Sequence, residues 1–239
     1  MLDAGLPLLF LDASGLSTRA GLWQNSRWLA FREDPAPALT ALFTSTRAIL
    51  AEAALTLSQI AGFLYIEGPG SVLGLRLAAM AIRTWQTDPT SASAAIHSSE
   101  PQPAPSHPRT VFSCGSLHLA AALALAGGAQ PPFTVCTDAR QGRWHLLEVP
   151  TANSSSLAQN LSREADGPEL AQLPGPLFYL PARKSWQNLP RPSAPLPASL
   201  RDHPEILITP NLFRPVPAAT PFSGAAPEYR KWQNPAAIA

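Results

Sequence analysis

Residues 64–80, LYIEGPGSVLGLRLAAM, decide how the chain is read. A short apolar run (Phe63 to Ile66) reads as a buried strand, and Leu73 to Trp85 carries the apolar spacing of a helix. Between them lie Gly68-Pro69-Gly70-Ser71, residues that turn a chain sharply. Such a strand–loop–helix junction can aim backbone N–H groups at a phosphate from the helix N-terminus. The side-chain chemistry of a phosphate loop is missing, however. No Lys follows in the GxxxxGK[ST] order, Arg76 stands about one turn into the helix, and Glu67 places a like charge at the mouth. The favoured reading gives the glycines to a tight turn and close helix packing.

Upstream, Leu6 to Asp12 is a dense apolar run that ends in Asp-Ala-Ser-Gly, a strand leading into a turn. Arg19 to Trp23 and Arg27 to Phe31 are strand-like, and Gln24-Asn25-Ser26 between them is hairpin chemistry. Residues 38–54 are rich in helix formers, with Leu39, Leu42, Phe43, Ile49, Leu50 and Ala53 forming an apolar face. Downstream, residues 86–109 carry five prolines and little to bury, and read as a flexible surface loop or linker. Order is expected again at Thr110 to Cys114 (strand), Ser116 to Ala126 (helix), Phe133 to Thr137 (strand) and Arg143 to Val149 (strand). More than half of the 27 prolines lie from Pro168 onward, where long helices are disfavoured and PLFYLP and EILITP read as short strands. Strands and helices that alternate twice around a Pro-rich break indicate an α/β protein of two lobes.

Composition narrows the function classes. The formal net charge is +1 and Lys184 and Lys231 are the only lysines, so no basic stripe for direct nucleic-acid binding is visible. Cys114 and Cys136 lie in apolar segments with no metal spacing, which suggests buried thiols in a reducing compartment. The apolar start has an early Asp3 and no basic region, and it falls short of the roughly 20 residues of a membrane span. A cytoplasmic protein is expected.

Three segments, taken in order, resemble the bacterial TsaB family, also called YeaZ. Gly68-Pro69-Gly70-Ser71 and Gly74-Leu75-Arg76 match that family's GPGSFTGLR motif position by position, behind a helix ending that is also similar. LFLDAS (9–14) is similar to its opening LAIDTS, and the SLHLAAALALA helix with TDARQGRW is similar to its later helix and hairpin. PEYRKW near the end is a weaker echo. Departures are Glu67 for a usual Arg, Val72-Leu73 for Phe-Thr, the Pro-rich insertion and the tail.

The resemblance implies an actin-like ATPase (ASKHA, ribonuclease H-like) fold with two lobes. The first would span residues 1–87, a linker 88–109, and a reduced, Pro-rich second lobe 110–239. It also implies a non-catalytic paralogue of TsaD. Such a subunit binds and activates TsaD, with a TsaE-type ATPase, for N6-threonylcarbamoyladenosine (t6A) formation in tRNA. tRNA would be reached only through the complex, and ATP and metal would sit on the partner, with no cofactor on the isolated chain. The implied partner surface is Leu39, Leu42, Phe43, Ile49, Gly68, Gly70, Ser71, Leu75, Arg76, Ala79, Met80 and Arg83, with a homodimer as a further expectation. Asp12 and Ser14 are weak nucleotide candidates, since the fold's strand-end Asp can also cap its own turn and no second-lobe Asp is recognisable as its match. His118 has Ala122 where a metal pair needs a second His, and Ser71 has no evident His partner. Asp138, Arg140 and Arg143 read as a turn former with an ion pair rather than an RNA contact. An actin-fold kinase or ATPase, or a self-associating scaffold, are the alternatives.

Overall fold

A computed structural model of the chain describes residues 5–87, 109–151, 157–181 and 188–223. His97, His107, Lys184, Lys231, PEYRKW and nearly all of the expected linker lie outside them. The chain opens with β1 (Leu8–Asp12), β2 (Thr18–Gln24) and β3 (Arg27–Asp34) as an antiparallel meander. Gln24 pairs with Arg27, so Asn25 and Ser26 form a two-residue turn, both at positive φ (52° and 59°) as a hairpin matched to strand twist requires. Then come α1 (Ala38–Glu52), β4 (Gly62–Gly68) and α2 (Val72–Thr87), with β4 parallel to β1. β5 (Thr110–Gly115) lies parallel to β4, and α3 (Ser116–Ala126) follows it directly.

The second sheet is built from β6 (Phe133–Asp138), β7 (Trp144–Val149), β8 (Arg163–Ala165) and β9 (Leu177–Leu180), with α4 (Gly167–Gln172) between the last two. Its order is β8-β7-β6-β9, an antiparallel meander with a parallel return strand beside its first member. The first sheet has the order β10-β5-β4-β1-β2-β3, closed at one edge by β10 (Arg214–Val216). The second sheet thus repeats the β3-β2-β1-β4 frame of the first.

Two expectations change. The lobe boundary at 87 and 110 fails because Thr110–Gly115 completes the first sheet along its ladder with β4, and the chain returns at β10 to the same sheet. EILITP is a 3-10 turn (Pro204–Ile208), not a strand. Pro204 removes a ladder donor there, and Ile206 and Leu207 insert into the core. PLFYLP does supply β9.

The layers run α1/α2, first sheet, α3, second sheet, α4. One apolar cluster packs Leu9, Leu11, Phe63 and Tyr65 under Ala78, Ala79 and Ile82 of α2 and Leu42 and Ile49 of α1. A second joins the other face of that sheet (Phe10, Leu64, Ile66) through α3 to Val135, Leu147 and Phe178 of the second sheet. α3 is buried on nearly all sides, from Leu119 to Ala124 without a break, which accounts for a helix that is apolar all round. It welds the lobes together.

Candidate functional site

Two places collect the residues singled out above, and they share the end of β1. Asp12 is 1% exposed, and its Oδ1 accepts the Ser14 amide (2.8 Å) and the Ser14 hydroxyl (2.6 Å). Its Oδ2 accepts from the guanidinium of Arg19, which β2 holds directly opposite at the Asp12↔Arg19 register position. Burial of a carboxylate is costly unless it is paired, and here the chain itself pairs both oxygens. This donor set does not fit a metal-bound nucleotide. The arginine already holds the position a cation would take, and the serine caps the turn.

The glycine loop packs on this turn. The amide of Ser71 donates to the Ser14 carbonyl at 2.8 Å, and the Ser71 hydroxyl accepts the Gly74 amide at 3.3 Å as a cap on α2. A Cβ at Gly70 would stand 2.3 Å from the Ser14 carbonyl oxygen, and one at Gly74 would stand 2.2 Å from that of Ala13. These glycines therefore let α2 start in contact with the end of β1. The amides of Ser71 and Gly74 are spent on the chain itself, so the loop reads as a packing joint. Pro69 is held from the α3 side by the Ser116 hydroxyl, which donates to its carbonyl at 2.5 Å.

The tail closes the other flank. Glu67 accepts from Arg214 at 2.7 Å, and its carbonyl accepts the Phe222 amide at 2.6 Å. Arg83 of α2 donates to the Ala219 carbonyl at 2.8 Å. Between the lobes lies a cleft of about 210 Å³ lined by Ser14, Ser17, Arg19, Ser116, Thr137 and Leu180, small against the roughly 300–1,000 Å³ of ligand sites.

The second lobe has a counterpart to Asp12 that sequence reading did not identify. β6 occupies the place of β1 and also ends on an aspartate, Asp138. It accepts the Tyr179 hydroxyl at 2.9 Å from β9. The expected Asp138–Arg140 ion pair is absent. Arg143 pairs instead with Glu164 at 3.3 Å, because the hairpin register faces it to β8. His118 bonds through Nε2 to the Asn160 carbonyl (2.9 Å). Among the described residues, no three His, Cys, Asp or Glu side chains group to hold a metal ion. Both cysteines are buried thiols, and desolvation pushes Cys136 up to about 12.

The expected partner surface divides in two. Leu39, Phe43, Arg76, Met80 and Arg83 are exposed, and Gly70 and Ser71 are half-buried. Leu42, Ile49, Gly68, Leu75 and Ala79 are buried against the sheet or the loop, so their side chains serve the core instead. Val72 and Leu73, at 51% and 68% exposed, belong to the open face and were missed. The signal for them was apolar surplus: α2 buries Leu75, Ile82 and Trp85 together with Ala78, Ala79 and Ala81, and still leaves Leu73 and Met80 outward, more apolar residues than one buried stripe needs. Phe43 joins α1 to α2 through an edge-on contact with Trp85, ring centroids 6.1 Å apart.

No family model matches the chain, and no curated protein matches it in sequence. Solved structures do. YeaZ from Pseudomonas aeruginosa aligns over 73% of this chain and 75% of its own, at 19% identity and a TM-score of 0.50. An uncharacterized protein with similarity to peptidase YeaZ from Pseudomonas aeruginosa aligns over 73% and 74%, at 18% identity and a TM-score of 0.51. No helix among the described residues is long and apolar enough to cross a membrane. The chain has the fold of YeaZ, an actin-like ATPase fold of two lobes around a shared central helix.

Proposed function

We propose that the chain is a TsaB-type (YeaZ-type) accessory subunit. It docks on a TsaD-type catalytic subunit through α1 and α2 and activates it for t6A formation in tRNA, without catalysing the reaction itself. A TsaE-type ATPase completes the complex, tRNA is met only there, and ATP and metal are held by the partner. The observation that carries this reading is the open helical face, where Leu39, Phe43, Val72, Leu73 and Met80 stand in water on two adjacent helices. Apolar groups collected in this way mark a protein-interaction site. The ordered sequence resemblance and the YeaZ fold support the identity of the partner. The self-paired Asp12 turn supports a subunit that assists rather than catalyses.

Reconstitution tests it. With the TsaD-type and TsaE-type proteins of the same organism, ATP, the threonylcarbamoyl donor and unmodified tRNA, t6A should form only when this chain is added. Equal t6A with and without the chain would remove the proposal.

A further inference from the structure

The helical face carries a charge pattern as well as an apolar one. α1 and α2 contain three arginines, Arg47, Arg76 and Arg83, and a single acid, Glu52. Glu52 lies on the flank of α1 away from α2, where its carboxylate bonds Arg32 of β3 at 3.2 Å. Arg83 spends its guanidinium on the tail carbonyl of Ala219 and on Thr220, which leaves its charge uncompensated. Arg47 and Arg76 are exposed and have no carboxylate partner among the described residues. At helical spacing Leu39, Phe43 and Arg47 follow one line of α1, and Val72, Arg76, Met80 and Arg83 share one face of α2. The open surface therefore carries apolar and cationic side chains together, and among the described residues α1 and α2 place no acid upon it.

From this we infer that the face selects a partner presenting carboxylates around an apolar helical surface, and that it rejects a second copy of this chain. Two copies stacked through α1 and α2 would bring two cationic faces together around the same apolar side chains. Like charges facing each other across an interface oppose association, and complementary ones speed encounter and fix register. Screening by salt weakens both effects within a Debye length of about 10 Å at 0.1 M. The inference rests on the proposed function for the identity of the occupant, and it goes further in assigning the chemistry that chooses it.

The test titrates the full chain into the TsaD-type subunit by calorimetry over a salt series, alongside sedimentation of the chain alone. Three forms are compared: wild type, Arg47→Glu with Arg76→Glu, and Arg27→Glu with Arg140→Glu. The last makes the same change in net charge on exposed positions away from the face. Wild type should sediment as a monomer at low salt and bind the subunit less tightly as salt rises. The Arg47/Arg76 reversal should bind at least about tenfold more weakly, and the Arg27/Arg140 form should match wild type. Equal binding by the Arg47/Arg76 reversal overturns the inference while the proposed function stands. A low-salt dimer dissolved by Leu73→Asp also overturns it and assigns the face to a second copy. Binding that emerges only after residues 224–239 are removed assigns the face to the chain's own tail, again against the inference. Failure of every form to bind that subunit defeats the proposed function instead. The inference is then decided by mixing wild type with its own Arg47/Arg76 reversal: a one-to-one complex upholds it, and two monomers end it.

Discussion

The two lobes follow one strand plan and clothe it differently. In each, an antiparallel meander is joined by a parallel return strand beside its first member, and that first strand ends on an aspartate. The first lobe covers its outer face with helices of 15 and 16 residues, whereas between β8 and β9 the second has the 6-residue α4. The outer face of the second sheet is filled by Leu170 of α4 with Leu173 and Leu189 from extended segments. Main-chain pairing thus carries the frame, and the helices are the variable layer. Among the described residues, two long helical ridges side by side lie on the first lobe, the face on which docking is proposed.

The two strand-end aspartates should differ most under mutation. Asp12→Ala would leave the part-buried Arg19 guanidinium and the Ser14 amide without their acceptor, and is expected to cost about 3 kcal/mol. Asp138→Ala removes an acceptor of the Tyr179 hydroxyl, with no part-buried guanidinium across from it as at Asp12, and should cost less. Urea unfolding of both variants measures the gap. Equal losses would mean that the lobes use their aspartates alike, and magnesium-ATP binding abolished by Asp12→Ala would return the first to a nucleotide site.

Next in size is the joint between β1 and α2. Gly74→Ala places a Cβ against the Ala13 carbonyl, a backbone atom that cannot swing aside, so a loss of about 2 kcal/mol is expected. Gly15→Ala, one residue past the same turn with nothing near its Cβ position, should lie within about 0.5 kcal/mol of wild type. A tolerated Gly74→Ala would show that α2 can ride away from the sheet, and that the joint is looser than its contacts imply.

Much of the first lobe was legible because its signals are local. Asn25-Ser26 names its own hairpin, the GPGS junction marks a strand-to-helix turn, and LFLDAS lies at a strand end that runs into a turn. The lobe boundary was not legible, because nothing in TVFSCG says which sheet will take it; that choice is made by pairing with residues 62–68. Asp138 escaped for the same reason, since its likeness to Asp12 exists only once β6 is seen in the place of β1. The open face was half legible. Apolar excess on α1 and α2 pointed to a partner surface, but alanines under α2 hid which side faces the sheet. The arginines of the two helical segments stand in the sequence, yet their consequence waited on their exposure and on the placement of Glu52 against β3.

The smallest expected effect lies where the tail meets the second lobe. His145 of β7 packs edge-on against Phe222, ring centroids 5.4 Å apart, and is half-enclosed by the sheet. Burial lowers its pKa, and the carboxylate of Glu164 at 3.7 Å raises it, the burial being the larger. The folded protein then holds the imidazole proton less tightly than the unfolded chain does. The resulting stability is fully present above the unfolded value, near 6.5, and is lost as pH falls through the lowered one. Between pH 7 and pH 5 the midpoint of urea unfolding should therefore drop by a small increment, an increment absent from His145→Gln. Glu164→Gln removes the opposing carboxylate and should enlarge it. If His145→Gln keeps the full pH dependence, the acid-sensitive contact lies elsewhere, and the tail does not bury this imidazole as tightly as the ring contact implies.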